Sequence, residues 1–385
     1  MKKICYIVTV SETIEAFFIP QLMYLRENGF DVTVICSNAD KLQKKVRTIN
    51  LVTINIPRGV SIIKMITSII KLCFVFQKER YDLIQYSTPN AALCASIAGW
   101  ISRIPKRNYH IMGFRYLGAR GIVQDILKIF EKMSCVLSTS IECVSKSNLE
   151  FAIQERIFKR EKAVVVWNGS SGGVDLCKFN YENREKYRQK IRKKYNIAPE
   201  EFVFGFVGRI TKDKGINEIL KVYEKINCGK LFMIGKVECA DSLDRELYYR
   251  SLNNKNIIYT DQIPNVEQYY AALDVLLLPS YREGFGNVII EAGAMGTPAI
   301  ISDIPGPIDA VIANKTALLV SPRNVYSLYL AMKEIMSLNY KQMGNEAAAF
   351  VKNSFSTTTL NQYILNRKRY LLYDNSKIEK PKSKV

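Results

Sequence analysis

The chain has 385 residues, about two domains at the usual ~150 residues each, and its 48% hydrophobic and 24% charged content is that of a soluble globular protein with no long disordered region. Nine cysteines stand singly with no Cys-x-x-Cys pair, which excludes a disulfide framework and a thiolate zinc site and fits reduced thiols in a cytosolic protein. The net charge of +19 requires an anionic partner, yet the basic runs Arg184 to Lys194 and Arg367 to Lys384 lack the aromatic interleaving of a nucleic-acid surface, so an anionic membrane surface is expected and nucleic acid is not.

Met1 to Val10 has a basic start, but Ser11 and Glu12 interrupt its short apolar stretch and no small-residue cleavage site follows, so it reads as a first strand rather than a signal peptide. Ile19 to Asn28 follows as a helix closed by Gly29, and Val32 to Cys36, Leu51 to Ile56 and Leu83 to Tyr86 read as buried strands. Ile62 to Phe76 is the most apolar stretch, but it contains Lys64 and Lys71 and falls short of the ~20 residues of a membrane span. Two readings stay open for it: a half-buried helix of an α/β domain, or a helix whose basic-apolar face lies on lipid headgroups. Further strands are expected at Asn108 to Met112, Cys135 to Thr139 and Val164 to Val166.

Asn168 to Phe179, rich in glycine and serine, reads as a hinge, and a charged helical segment, Tyr181 to Asn196, opens a second round of alternation. Its strands are Phe202 to Val207, Leu231 to Ile234, Ile257 to Tyr259, Val275 to Leu278 and Ala299 to Ile301, with helices near Gly215 to Ile226 and Val288 to Met295. Alternation of this kind predicts an α/β protein of two doubly wound, Rossmann-like parallel-sheet domains facing a central cleft, with ligands at the carboxyl ends of the strands. The expected boundaries are 1–180 for the first domain, 181–355 for the second and 356–385 for a final helix with a frayed basic tail.

The sharpest chemistry lies in Pro279 to Glu291, which follows an apolar strand and opens a helix. There the amides of Gly284, Phe285, Gly286, Asn287 and Val288 emerge at a helix amino end, where partial positive charge collects, and glycines at 284 and 286 let a phosphate approach the backbone. Glu291, about one turn into the helix, is placed to accept hydrogen bonds from a ribose diol, and Glu283 is placed to reach a sugar. The bland alternative makes Glu283 a complement to the helix dipole and Glu291 an exposed helical acid. What favours the ligand reading is a second strand-to-helix turn, Val207 to Gly215, whose Arg209 and Lys214 are placed to offset charge growing on a leaving diphosphate; for Lys214 alone a solvated surface lysine is the default.

The Glu-x7-Glu element, the Gly-Arg-x4-Lys-Gly turn, the Ser302 to Pro307 loop and the Tyr269 to Val275 segment together resemble glycosyltransferase family 4, retaining enzymes of the GT-B fold. Arg115 to Gly121 and Asn168 to Asp175 are similar to bacterial members that build capsule, O-antigen or other exopolysaccharide. The resemblance implies that Arg209 and Lys214 hold the donor diphosphate, that Gly284 to Val288 donate amides to it, that Glu291 binds ribose and that Glu283 binds the transferred sugar. It also implies a UDP- or GDP-sugar donor, with UDP the leading expectation, a hexose or N-acetylhexosamine as the group transferred, and a final helix that returns to the first domain. No cofactor and no metal are expected, the absence of an Asp-x-Asp sequence being mild support.

His110, the only histidine, closes an expected strand near where the family places a catalytic histidine; a structural strand-end residue is the competing reading. The first turn departs from the family, since Thr9-Val10-Ser11-Glu12-Thr13-Ile14 contains no glycine; Ser11, Glu12 and Thr13 are candidate acceptor-loop residues, with ordinary loop chemistry an equal account. Charge, the apolar stretch and the resemblance together imply a peripheral enzyme on the cytoplasmic face of the cell membrane, acting on a polyprenyl-diphosphate-linked or polysaccharide acceptor. The rival readings are a UDP-sugar epimerase of the same fold and a basic membrane- or nucleic-acid-binding protein with a non-catalytic site.

Overall fold

Short β-branched and aromatic runs, buried on both faces, alternate with helices in two rounds, and each round closes into its own parallel sheet. The structure, a computed structural model, describes residues 1–226, 228–238 and 243–373. The chain divides into two units: the first holds Met1–Val144, Leu149–Trp167 and the chain from Thr358, and the second holds Ser145–Asn148 and Asn168–Thr357. The expected frayed tail from Asn375 lies outside the described residues.

In the first unit β1 (Lys2–Val10), α1 (Ser11–Phe17), α2 (Ile19–Glu27), β2 (Phe30–Ser37), β3 (Asn50–Thr53), α3 (Ile62–Glu79), β4 (Leu83–Tyr86), α4 (Pro89–Ile101), β5 (Lys106–Ile111), α5 (Gly121–Leu137) and β6 (Ser140–Cys143) follow in order. α6 (Lys146–Gln154) and β7 (Ala163–Val165) complete the run. The seven strands order as β3-β2-β1-β4-β5-β6-β7, all parallel, with Ile4 opposite Val32 on one side and Leu83 on the other. Two apolar layers sandwich the sheet. One packs Leu22, Leu25 and Phe30 against Ile4, Tyr6 and Val8; the other packs Met65, Leu72 and Phe76 of α3, Ala91 to Ala98 of α4 and Leu127 of α5 against Ile84, Tyr109 and Ile141.

Two expectations fail in this unit. Cys135 to Leu137 belong to the last turn of α5, and the strand starts only at Ser140. The apolar triplet satisfies a strand pattern locally, but Leu127, Glu131, Ser134 and Cys135 recur at helical spacing and form the buried side of α5. The expected first loop does not exist either: β1 runs directly into α1 with Val10 as its extended N-cap, so Ser11 is buried inside the helix while Glu12 is exposed.

The second unit contains α7 (Arg184–Lys194), β8 (Val203–Val207), α8 (Ile216–Ile226), β9 (Lys230–Ile234), α9 (Arg245–Leu252), β10 (Ile257–Thr260), α10 (Val266–Ala272), β11 (Val275–Leu278) and α11 (Asn287–Ala294). β12 (Ala299–Ser302), β13 (Ala317–Val320), α12 (Val325–Ser337) and α13 (Tyr340–Ser354) follow. Its six parallel strands order as β10-β9-β8-β11-β12-β13. Buried Asp274, ahead of β11, accepts from the guanidinium groups of Arg188 and Arg192 on α7 at 2.6 and 2.7 Å and from the amide of Val203 at 2.7 Å, which fixes the amino ends of the two central strands together. The last helix, α14 (Thr357–Leu372), lies almost wholly within the first unit, where buried Lys368 donates to Glu142 at 2.9 Å and to Gln85 at 2.6 Å.

Candidate active site

The order of the second sheet reverses between β8 and β11, which lie side by side with Phe204 opposite Val275 and Gly205 opposite Leu276. Loops leaving the carboxyl ends of two such strands diverge, and the gap between them is where doubly wound sheets take ligands. The loops at this gap are the two that carry the candidate residues: Gly208 to Gly215 leaves β8, and Pro279 to Gly286 leaves β11.

The two turns are tied to each other. The amide of Tyr281 donates to the Asp213 carbonyl at 2.8 Å, Arg282 pairs with Asp213 at 3.1 Å, and Lys214 Nζ donates to Glu283 Oε1 at 2.5 Å. Gly215 turns with φ +74, and a Cβ there would stand 2.2 Å from the Pro279 carbonyl oxygen, so this approach of the two loops is open only to glycine. Burial would raise the Asp213 carboxyl, but the Thr211 hydroxyl at 2.6 Å and the cations Arg282, Lys214 and Arg209 hold it below its ordinary value. The Lys214–Glu283 pair is half-buried, whereas Arg209, paired with Glu238 at 3.1 Å, is exposed on both sides of its bond.

Gly286 takes φ +89 and caps α11, which begins at Asn287. None of the backbone N–H groups from Gly284 to Val288 donates to a described residue; the first to do so is that of Ile289, to the Gly286 carbonyl. Five successive amides are therefore free at a helix amino end beside a lysine and an arginine, an arrangement that binds an anion through backbone donors and partial charge. The Phe285 side chain does not face this seat; it is buried edge-on against Phe355. Glu291 accepts a 2.9 Å hydrogen bond from the Tyr270 hydroxyl, and burial lifts its carboxyl to about 7 although that bond and Lys178 pull the other way. It is not an exposed helical acid.

The residues foreseen in the first unit have separate surroundings. His110 is the penultimate residue of β5 and is buried; burial lowers its imidazole to about 4, so the ring is neutral near pH 7. Its Nδ1 lies 3.4 Å from the Ser87 hydroxyl and its ring packs edge-on to Phe18. Ser11, Glu12 and Thr13 lie in α1 rather than in a loop.

Residues 187–355 match the model for glycosyl transferases group 1, and residues 21–170 match that for glycosyltransferase family 4. The chain is 31% identical to the capsular polysaccharide biosynthesis glycosyltransferase CapM of Staphylococcus aureus, over 92% of its length and 94% of that protein's. It belongs to this glycosyltransferase family.

The enzyme is also 28% identical to the Escherichia coli UDP-Gal:alpha-D-GlcNAc-diphosphoundecaprenol alpha-1,3-galactosyltransferase, over 73% of the chain and 74% of that protein. Its backbone superposes on Anabaena HepE in complex with UDP-glucose with a TM-score of 0.75 at 18% identity, covering 96% of this chain and 99% of that one, which establishes the GT-B fold.

Three site residues of this glycosyltransferase escaped the sequence reading. Asn148 donates through Nδ2 to the carbonyl of Gly284 at 2.6 Å and fixes the turn before the free amides; it lies 135 residues from Glu283, and no local pattern signals it. Ser170 donates to the Asn287 side chain at 3.1 Å, so the glycine- and serine-rich segment from Asn168 carries a structural meaning beyond that of a hinge. Tyr270 holds Glu291; only its place in the Tyr269 to Val275 segment hinted at a role.

Proposed function

We propose that this glycosyltransferase transfers a hexose or N-acetylhexosamine from a UDP-sugar, with retention of the anomeric configuration, to a polyprenyl-diphosphate-linked or polysaccharide acceptor in surface-glycan synthesis. The single observation that carries the reading is the pair of tied turns at the β8/β11 reversal, one holding Lys214 and the other five successive amides that donate to no described residue. The UDP donor is supported by the UDP-glucose complex of Anabaena HepE, and the lipid-linked acceptor by the diphosphoundecaprenol substrate named for the Escherichia coli relative. CapM's part in capsular polysaccharide biosynthesis supports the glycan product.

In this reading the donor diphosphate lies on the amides of Gly284 to Val288, and Lys214 exchanges part of its bond to Glu283 for a phosphate oxygen. Arg209 leaves its exposed bond to Glu238, a pair worth about 0–1 kcal/mol, to reach the same diphosphate. Glu291, oriented by Tyr270, accepts from the ribose hydroxyls, and Glu283 accepts from hydroxyls of the transferred sugar. As the C1–O bond to the diphosphate breaks, negative charge grows where the amides and cations already point, so no divalent cation is required. The acceptor oxygen bonds to C1 on the same face, its proton passing to the departing phosphate; His110 of the first unit, neutral near pH 7, is chemically able to polarise a hydroxyl. The enzyme works at the cytoplasmic leaflet, held to an anionic surface by its net charge of +19.

A panel of UDP-hexoses and UDP-N-acetylhexosamines, incubated with a polyprenyl-diphosphate-linked acceptor in the presence of a chelator, tests this. Release of UDP only when acceptor is present, with an α-linked product by NMR, is expected. A β-linked product, or interconversion of UDP-sugars without acceptor, refutes it.

A further inference from the structure

We infer that α3 and α5 of the first unit form a two-helix platform that seats in the headgroup region of an anionic bilayer. The inference rests on the membrane-side reading above and names the surface responsible. On α3, Ile62, Ile63, Ile66, Ile70 and Phe74 recur at helical spacing and stand exposed, Ile63 at 80% and Phe74 at 69%, while Met65, Ser68, Leu72 and Phe76 form the opposite, buried side. On α5, Ile122, Ile126, Ile129 and Val136 do the same, Ile122 at 77% and Val136 at 72%, with Leu127, Glu131, Ser134 and Cys135 buried beneath. Both helices are therefore apolar on two sides, and only one of those sides has core to meet.

The two helices belong to one surface. Both pack against α4, whose carboxyl end also exposes Trp100 and Ile101. Each helix precedes a parallel strand and runs antiparallel to it, so the amino ends of α3 and α5, with Ile62, Ile63 and Ile122, lie at the carboxyl edge of the sheet. That is the edge at which β5 presents His110.

Charge chooses the occupant. Lys64, Lys71 and Lys78 stand seven residues apart, so they line one flank of the α3 ridge, and Lys128 and Lys132 flank that of α5. Arg58, Arg103, Lys106 and Arg120 stand in the adjoining loops and strand end. Opposing them, Glu79 is paired with Lys3, Lys128 is itself paired with Glu155, Glu131 is buried, and Asp125 is the one exposed acid on either helix. An apolar ridge edged by lysine and ended by an exposed tryptophan suits a headgroup layer, where ring and aliphatic groups enter the acyl boundary and ammonium groups meet lipid phosphate. Lysine is depleted at apolar protein interfaces, which argues against a second copy of the chain as the occupant.

The test is flotation of the full chain with vesicles of equimolar phosphatidylglycerol and phosphatidylcholine, against pure phosphatidylcholine, alongside transfer to a water-soluble acceptor. The wild type should float with the anionic vesicles. The Ile63→Asp/Phe74→Asp and Ile122→Asp/Ile129→Asp variants should each lose about tenfold or more in partitioning, since they put charge into the apolar contact. Lys64→Glu/Lys71→Glu should lose binding to anionic vesicles and its salt dependence. All of these positions are exposed, so melting temperature and soluble-acceptor turnover should stay at wild-type values. Anionic-vesicle binding that survives in both Asp pairs would overturn the platform while leaving the reaction intact. A wild type that ignores every vesicle, or a dimer in sedimentation that the Asp pairs dissolve, would overturn it as well. Failure of the reaction itself would appear separately, as absent turnover with the soluble acceptor.

Discussion

Lys214 and Glu283 share a short, half-buried bond, and in the proposed reaction a donor phosphate divides it. If Lys214 makes the proposed charge-assisted contact to the diphosphate, Lys214→Ala should weaken UDP binding about 10- to 100-fold by titration calorimetry with little change in melting temperature. Glu291 behaves differently because burial raises its carboxyl to about 7. Its charged form is the better acceptor for ribose hydroxyls, so the donor KM should fall as pH rises through 7, and Glu291→Gln should flatten that profile. At His110 the sign reverses. A base whose folded value, about 4, lies below the unfolded ~6.5 contributes stability that is present above pH 6.5 and is lost as pH falls towards 4. His110→Asn should therefore reduce the loss of melting temperature across that window, measured by thermal denaturation at stepped pH.

At the scale of elements, the two turns are held by backbone geometry as much as by charge. Gly215→Ala puts a Cβ against the Pro279 carbonyl at a positive φ, and it should cost about 2–3 kcal/mol and reduce donor binding as the loops separate, seen as parallel falls in melting temperature and affinity. These turns were legible in the sequence because each follows an apolar strand and carries glycine where a helix opens, a pattern that local chemistry fully determines. Cys135 to Leu137 were misread because three apolar residues satisfy strand and helix alike, and only the long repeat from Gly121 decides between them. The first turn was misread because the resemblance places a loop after the first strand; here Ser11 starts a helix directly after that strand and is buried, and Glu12 continues it as a good helix former. Asn148 and Tyr270 are bound to their partners by tertiary contacts, and no local spacing encodes those.

For the whole molecule, the chain enters the first unit twice, and Lys368 is the polar anchor of the returning α14. Burial alone would raise Glu142, yet Lys368, followed by Arg367 and His110, holds it down at about 2. Breaking such a buried pair from one side leaves an uncompensated charge, so Lys368→Met should cost about 3 kcal/mol and Lys368→Met/Glu142→Gln should recover much of it, measured by urea denaturation. Length had indicated two domains and the alternation of strand and helix two parallel α/β sheets; the order of the strands and the seam at Trp167/Asn168 depend on contacts that only the folded chain makes. Part of the net charge sits in the lysines beside α3 and α5 and part in the cations of the β8 turn, the two surfaces to which the proposals above give separate tasks.

A crystal structure of the enzyme grown with UDP addresses the central claim most directly. The diphosphate should lie within hydrogen-bond distance of the amides between Gly284 and Val288, with Lys214 moved from Glu283 towards a phosphate oxygen. UDP bound elsewhere, with those amides left bare and the Lys214–Glu283 bond intact, would contradict it.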